Sequence, residues 1–159
     1  MKKGHKVHLL DYQDEVFNKD HLLAIHSNKE AFQIAYFLNK FSNSIFRRKE
    51  DIALNYKEAS FSLFKWENSL IDIKTILFCN IHKHYLEQEN LNKNTLFNLP
   101  LRNEVYLFPE FKQVDFFIKS DHLETIQLLF KSLNTWSAIT MIYEIPSNKI
   151  KNRLNLIFD

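Results

Sequence analysis

The sequence predicts an α+β fold: an antiparallel β-sheet of about five to seven strands with two main helices packed on it. Three observations predict it. Two stretches carry apolar residues at helical spacing, 28 to 41 and 123 to 133. Between and around them lie short runs rich in β-branched and aromatic residues, bounded by turn residues. Strand, helix and strand follow one another closely near both ends of the chain, the order expected when helices cover a sheet.

Along the chain, "KVHLLDYQ" alternates weakly and reads as a first strand. Ser27 followed by Glu30 has the spacing of a capping box, and Ala31, Ile34, Ala35, Leu38 and Phe41 then repeat on one face, so a helix is predicted over 28–41. "NSIFRRKEDIAL" holds a short strand. "SFSLFKWE" and "LIDIKTILFCNIHKHY" flank Asn68-Ser69 as a hairpin. In its longer arm Ile71, Ile73, Leu77, Cys79 and Ile81 share one face. Asp72, Lys74, Asn80, His82 and His84 share the other, which reads as wet or partner-covered. The polar, Asn-rich stretch 87–103 is the one candidate divider in what is otherwise expected to be a single domain, 1–159. "VYLFP" and "QVDFFIKS" read as strands. Asp121 and Glu124 repeat the spacing of a helix start before the stripe Leu123, Ile126, Leu129, Phe130 and Leu133. "SAITMIYEI" is a strand ended by Pro146, and "NKIKNRLNLIFD" reads as a helical turn with an extended end.

Composition narrows the chemistry. In 159 residues there is one glycine, Gly4, where average usage of roughly 7% would supply about eleven. Phosphate-binding loops, dinucleotide fingerprints and GXXG clamps all need several glycines to bring backbone close to phosphate. The common nucleotide enzymes are therefore not expected, nor is a cofactor. The 15 Phe point to an aromatic core, and a chain of this length buries about 70% of its unfolded surface without help from a metal or disulfide. The net charge of +2 is too small to argue for general nucleic-acid binding. The single Cys79 sits in an apolar run, reads as a reduced buried thiol, and fits a cytoplasmic home. No apolar stretch approaches the roughly 18 residues of a membrane span, and Asp11 cuts short the apolar run after the basic amino terminus, so neither a signal peptide nor membrane association is expected.

Among candidate sites, His82 and His84 lie two apart and a strand would point both to one side, but zinc needs further ligands that no recognised spacing supplies. No metal is expected. Arg47 and Arg48 precede Glu50 and Asp51, and Lys149, Lys151 and Arg153 form a second basic run. These five are the candidates for nucleic-acid contact, alongside the simpler reading as solvated surface. Phe61, Phe64 and Trp66 could stack bases or, more simply, pack across strands. No nucleophile lies in a recognisable motif, so no catalytic residue is assigned.

The stretch "LFPEFKQVDFF" sets Glu110 beside Pro109 and places Asp115 in an otherwise apolar strand, where Asp is depleted. Val114, Phe116 and Ile118 would face one way; Asp115, Phe117 and Lys119 the other. Three readings of Asp115 are open: an acceptor holding the backbone turn after Pro109, a salt bridge to Lys112 or Lys119, or a working carboxylate pair with Glu110.

"FPEFKQVDF" also resembles the motif of the IPExxxVDY family, small proteins of the Bacteroidota. Pro109, Glu110, Val114 and Asp115 match. Phe108 stands at the isoleucine and Phe116 at the tyrosine, without its hydroxyl. "AYFLNK", "ASFSLF" and the tail from "AITMIYEI" to "NLIF" are similar as well, in the same order, over most of the chain. The resemblance names no chemistry. Genes of the family neighbour those of a double-strand ribonuclease and a pyruvate kinase, which implies an accessory role in RNA or central metabolism. The leading expectation is a non-enzymatic cytoplasmic interaction module with a protein partner. The alternatives are an accessory RNA-binding protein and an enzyme using Glu110 and Asp115; the oligomeric state is left open.

Overall fold

The computed structural model describes residues 20–54, 57–70, 72–86, 101–146 and 149. The expected strand in 6–13 and, Lys149 apart, the expected tail lie outside them. The order is β1 (His21–Ser27), α1 (Ala31–Phe41), β2 (Arg47–Leu54), β3 (Ala59–Asn68), β4 (Ile73–Cys79), β5 (Ile81–Leu86), β6 (Leu101–Tyr106), a 3-10 turn (Pro109–Phe111), β7 (Phe116–Ser120), α2 (Leu123–Asn134) and β8 (Ile139–Ile145). The α+β expectation holds, with a six-stranded sheet in the order β2-β3-β4-β7-β1-β8, antiparallel at every pairing, and a separate β5–β6 hairpin. Of the expected divider, 101–103 belong to β6 and the rest lies outside the described residues.

Three layers result. On one face of the sheet, α1 inserts Ala31, Ile34, Ala35 and Leu38 and α2 inserts Ile126, Leu129 and Leu133, against Leu23, Ile25, Leu77, Phe116 and Ile118. On the other face, Leu107, Phe108 and Val114 close over Leu22, Ala24, Phe61, Ile76, Phe78 and Phe117, with Val105 of β6 at the margin. Rings of Phe78, Phe108 and Phe117 meet at 5.3 to 6.2 Å, a range in which tilted and edge-on aromatic pairs are favourable.

This double cover corrects several expectations. β1 was not expected at His21–Ser27; it is a central strand covered on both faces, so "HLLAI" runs apolar without alternation. The face of β4 expected to be wet carries Ile76 and Phe78, both buried, and the strand expected to continue through His84 breaks at Asn80. Val114 precedes β7 and packs with Phe117, on the face opposite Phe116 and Ile118. Phe61 and Phe64 are buried and Trp66 packs on Phe46, the cross-strand role rather than base stacking.

Both helix starts differ from the expected ones. α1 begins at Ala31 with Glu30 before it in an extended conformation, and Gln33 Oε1 reaches back to accept from the Glu30 N–H at 2.9 Å. The box is thus displaced by three residues, because Ser27 is still in the sheet. At α2, His122 rather than Asp121 is the cap: its Nδ1 accepts from the Thr125 N–H at 3.3 Å, while Asp121 accepts from the Lys74 N–H. With so little glycine, left-handed turn positions fall to Asn43, Glu58 and Asp72. Asn and Asp tolerate that region because a short polar side chain can bond locally.

Candidate functional site

β1, β2 and β4 end, and β3, β7 and β8 begin, at the same end of the sheet, and there a cleft of about 680 Å³ opens. Its lining is mixed. His26 and Ser27 come from the end of β1, Lys29 and Glu30 from the link into α1, Asp51 from β2, Ser60 and Ser62 from β3, Cys79 from β4, His82 and Lys83 from β5, Asp115 from the approach to β7, and Thr140 from β8. Strand ends are rich in backbone groups that leave the ladder and need partners, so polar side chains collect there.

Asp115 meets this need. Pairing between β1 and β8 shifts register at His26/Ser27, and the Ser27 N–H donates to Asp115 Oδ2 at 2.9 Å. The Asp115 N–H donates to Ile25 O at 3.1 Å and its carbonyl accepts from Asn80 N at 2.8 Å. The Ser27 hydroxyl in turn donates to Ala138 O at 2.8 Å. Asp115 and Ser27 together fasten the ends of β7, β1 and β8.

The turn after Pro109 is held by Asn80 instead. This side chain has no exposed surface. Its Nδ2 donates to Phe111 O at 2.8 Å and Val114 O at 2.9 Å, and its Oδ1 accepts from the Phe108 N–H at 2.9 Å. Its backbone carbonyl accepts from Leu107 N. Sequence reasoning placed Asn80 on a wet face and missed it. The signal was an Asn within a strand-like run, a residue type depleted in strands that bonds backbone readily.

Of the motif residues, Val114 and Phe116 are buried, Pro109 opens the 3-10 turn, and Glu110 is half-buried on that turn and is not among the residues lining the cleft. Neither expected salt bridge to Asp115 forms: Lys112 lies over the Tyr106 ring and Lys119 pairs with Asp20 at 3.0 Å. The motif therefore joins three strands and a turn, and only Asp115 and Phe116 reach the cleft.

His82 Nδ1 lies 2.9 Å from Ser60 O and 3.4 Å from Ser60 N, donating to the one or accepting from the other according to the ring tautomer. His84 sits beside it, ring centroids 6.1 Å apart. No group of three or more His, Cys, Asp or Glu able to hold a metal occurs among the described residues. Burial is the main cause that pushes the Cys79 thiol up to about 11, with Glu30 adding to it and bonds from Ser62 opposing it. At neutral pH it is an un-ionised thiol and a poor nucleophile.

The basic candidates do not converge. Arg47 and Arg48 lie on β2 and Lys149 follows β8, the opposite edges of the sheet, roughly 24 Å apart at five strand spacings. Arg48 is engaged by Asp51 and by Leu63 O. Lys151 and Arg153 lie outside the described residues. No described helix is long and apolar enough to cross a membrane. No protein-family model, no curated protein and no solved structure matches the chain.

Proposed function

We propose that the protein is a non-enzymatic interaction module of the IPExxxVDY type, whose cleft at the end of the sheet receives a charged, extended segment of a partner protein. The observation that carries this reading is the lining of the cleft: hydroxyls from Ser60, Ser62 and Thr140, cations from Lys29 and Lys83, and carboxylates from Glu30 and Asp51, around a thiol that stays protonated. Donors and acceptors of both signs suit a polypeptide carrying both charges. The two groups best suited to chemistry are otherwise engaged, since Asp115 accepts a backbone N–H and Cys79 is un-ionised at neutral pH.

The test is affinity purification from the native cell, with and without nuclease, using the wild-type chain and a Lys29→Glu, Lys83→Glu variant. A protein recovered in fixed proportion after nuclease, and lost with the variant, is the expected result. Recovery that nuclease abolishes would replace this reading with RNA binding. A protein recovered equally with both chains would remove the cleft from the interface.

A further inference from the structure

The charges that line the cleft are not equally free. Its three carboxylates already serve the fold. Asp51 is held by the Arg48 guanidinium. Asp115 Oδ2 accepts from the Ser27 N–H at 2.9 Å. Glu30 stands immediately before α1, where the unpaired amides of the first helical turn offset a negative charge. The cations have no such task. Lys29 and Lys83 line the cleft, and neither ammonium makes an ion pair among the described residues. Glu104, which faces Lys83 across the β5–β6 hairpin, bonds the Tyr106 hydroxyl. Ser60 and Thr140 are exposed, and their hydroxyls bond nothing among the described residues. The lining reaches from Asp51 on β2 to Thr140 on β8, the two edge strands. That is roughly 24 Å at five strand spacings, the span of about seven extended residues.

We propose that the partner segment received by the cleft is acidic: an extended stretch of about seven residues whose Asp or Glu carboxylates meet Lys29 and Lys83. Its backbone and remaining polar groups take the hydroxyls of Ser60 and Thr140. The inference rests on the reading of the cleft as a partner-binding site and narrows it, because of the two signs in the lining only the positive one is uncommitted. An arriving carboxylate gains an ion pair without breaking one. An arriving ammonium must compete with Arg48 for Asp51, or with the start of α1 for Glu30. A nucleic acid is a poorer occupant. Its phosphates would find two lysines beside three carboxylates, and the one phenyl ring in the lining, Phe116, is buried and offers no face to a base.

Blocked heptapeptides that are acidic, neutral or basic, matched in apolar content, test it by fluorescence anisotropy, with a uridine heptanucleotide as the nucleic-acid probe. The acidic peptides should bind best, and added salt should weaken them. Lys29→Gln and Lys83→Gln keep the length of the side chain and should each weaken the complex about three- to tenfold. Lys131→Gln, on α2 and outside the cleft, should leave it unchanged. Amide exchange of the free variants checks that the fold is intact. Tighter binding of the neutral or basic peptides overturns the proposal and leaves the cleft as a partner site. Tighter binding of the oligonucleotide overturns both. Acidic peptides that bind both cleft variants as well as the wild-type chain overturn the proposal, because the negative charge is then read elsewhere on the surface. Failure of every peptide to bind overturns it as well, since recognition then needs more than an acidic extended segment; affinity purification with the charge-reversed variant judges the wider reading separately.

Discussion

Holding the turn after Pro109, one of three readings the sequence offers for Asp115, falls to Asn80, while Asp115 fastens the strand ends. Asn80 is buried and bonds three backbone groups of the segment 108–114, while the Asp115 carboxylate bonds the single Ser27 N–H and is half-buried. A buried donor or acceptor left unpaired costs about 1–3 kcal/mol. Asn80→Ala should therefore destabilise by roughly 2–4 kcal/mol. Asn80→Asp should be no better, because it turns a carboxylate oxygen toward two carbonyls. Asp115→Ala should cost about 1–2 kcal/mol, and Asp115→Asn, which keeps an acceptor oxygen, less than about 1 kcal/mol. Urea denaturation midpoints of the four variants check this order. An Asp115→Ala chain less stable than Asn80→Ala would return the turn to Asp115.

At the scale of the element, the start of α1 shows how a sheet competes with a helix for the same residue. Ser27 has the residue type and spacing of a cap, but its backbone remains in β1 and its hydroxyl ties down Ala138 at the start of β8. Capping passes to Glu30 and Gln33. Gln33→Ala should cost about 0.5–1 kcal/mol and speed exchange of the Glu30 amide, the group that Gln33 accepts from. Ser27→Ala should cost about 1 kcal/mol with little effect on that amide, because it loosens the β1–β8 end. Exchange rates of Glu30 in the two variants separate the roles; equal acceleration in both would show that Ser27 also caps the helix.

At the scale of the whole molecule, the sheet separates two apolar layers that, among the described residues, share only the partly buried Cys79. Phe117 anchors one, with rings of Phe78, Phe108 and Phe111 around it at 5.3 to 6.1 Å; Leu129 lies in the other, under α2. Phe117→Ala should cost about 3–5 kcal/mol and Leu129→Ala about 2–5 kcal/mol, each a large share of the roughly 5–15 kcal/mol that holds a domain together. Because the sheet lies between them, the two losses should add to within about 0.5 kcal/mol. A double-mutant cycle by thermal or urea unfolding measures this, in paired backgrounds stabilised by added osmolyte if needed. Strong coupling would mean that the layers respond to each other through the sheet.

Local information determined much of this molecule. The periods of α1, α2 and β3, the hairpin at Asn68-Ser69 and the stop at Pro146 follow from side-chain spacing and turn chemistry, which act over a few residues. The scarcity of glycine speaks against glycine-rich phosphate loops on the same local grounds. Tertiary structure decided what spacing cannot carry. β1 and β7 are apolar on both faces because helices cover one and residues 107–114 the other, so an alternation test finds no strand in "HLLAI" and misassigns the faces of "VDFFIK". The cleft draws on six separate stretches of chain that share only the fact that their strands begin or end at one end of the sheet. Asp115 has its partner 88 positions away in Ser27, and Asn80 has partners 28 to 34 positions on. Such pairs are made by the order of strands in the sheet, β4 beside β7 beside β1, and that order is a property of the packed molecule rather than of any stretch of its sequence.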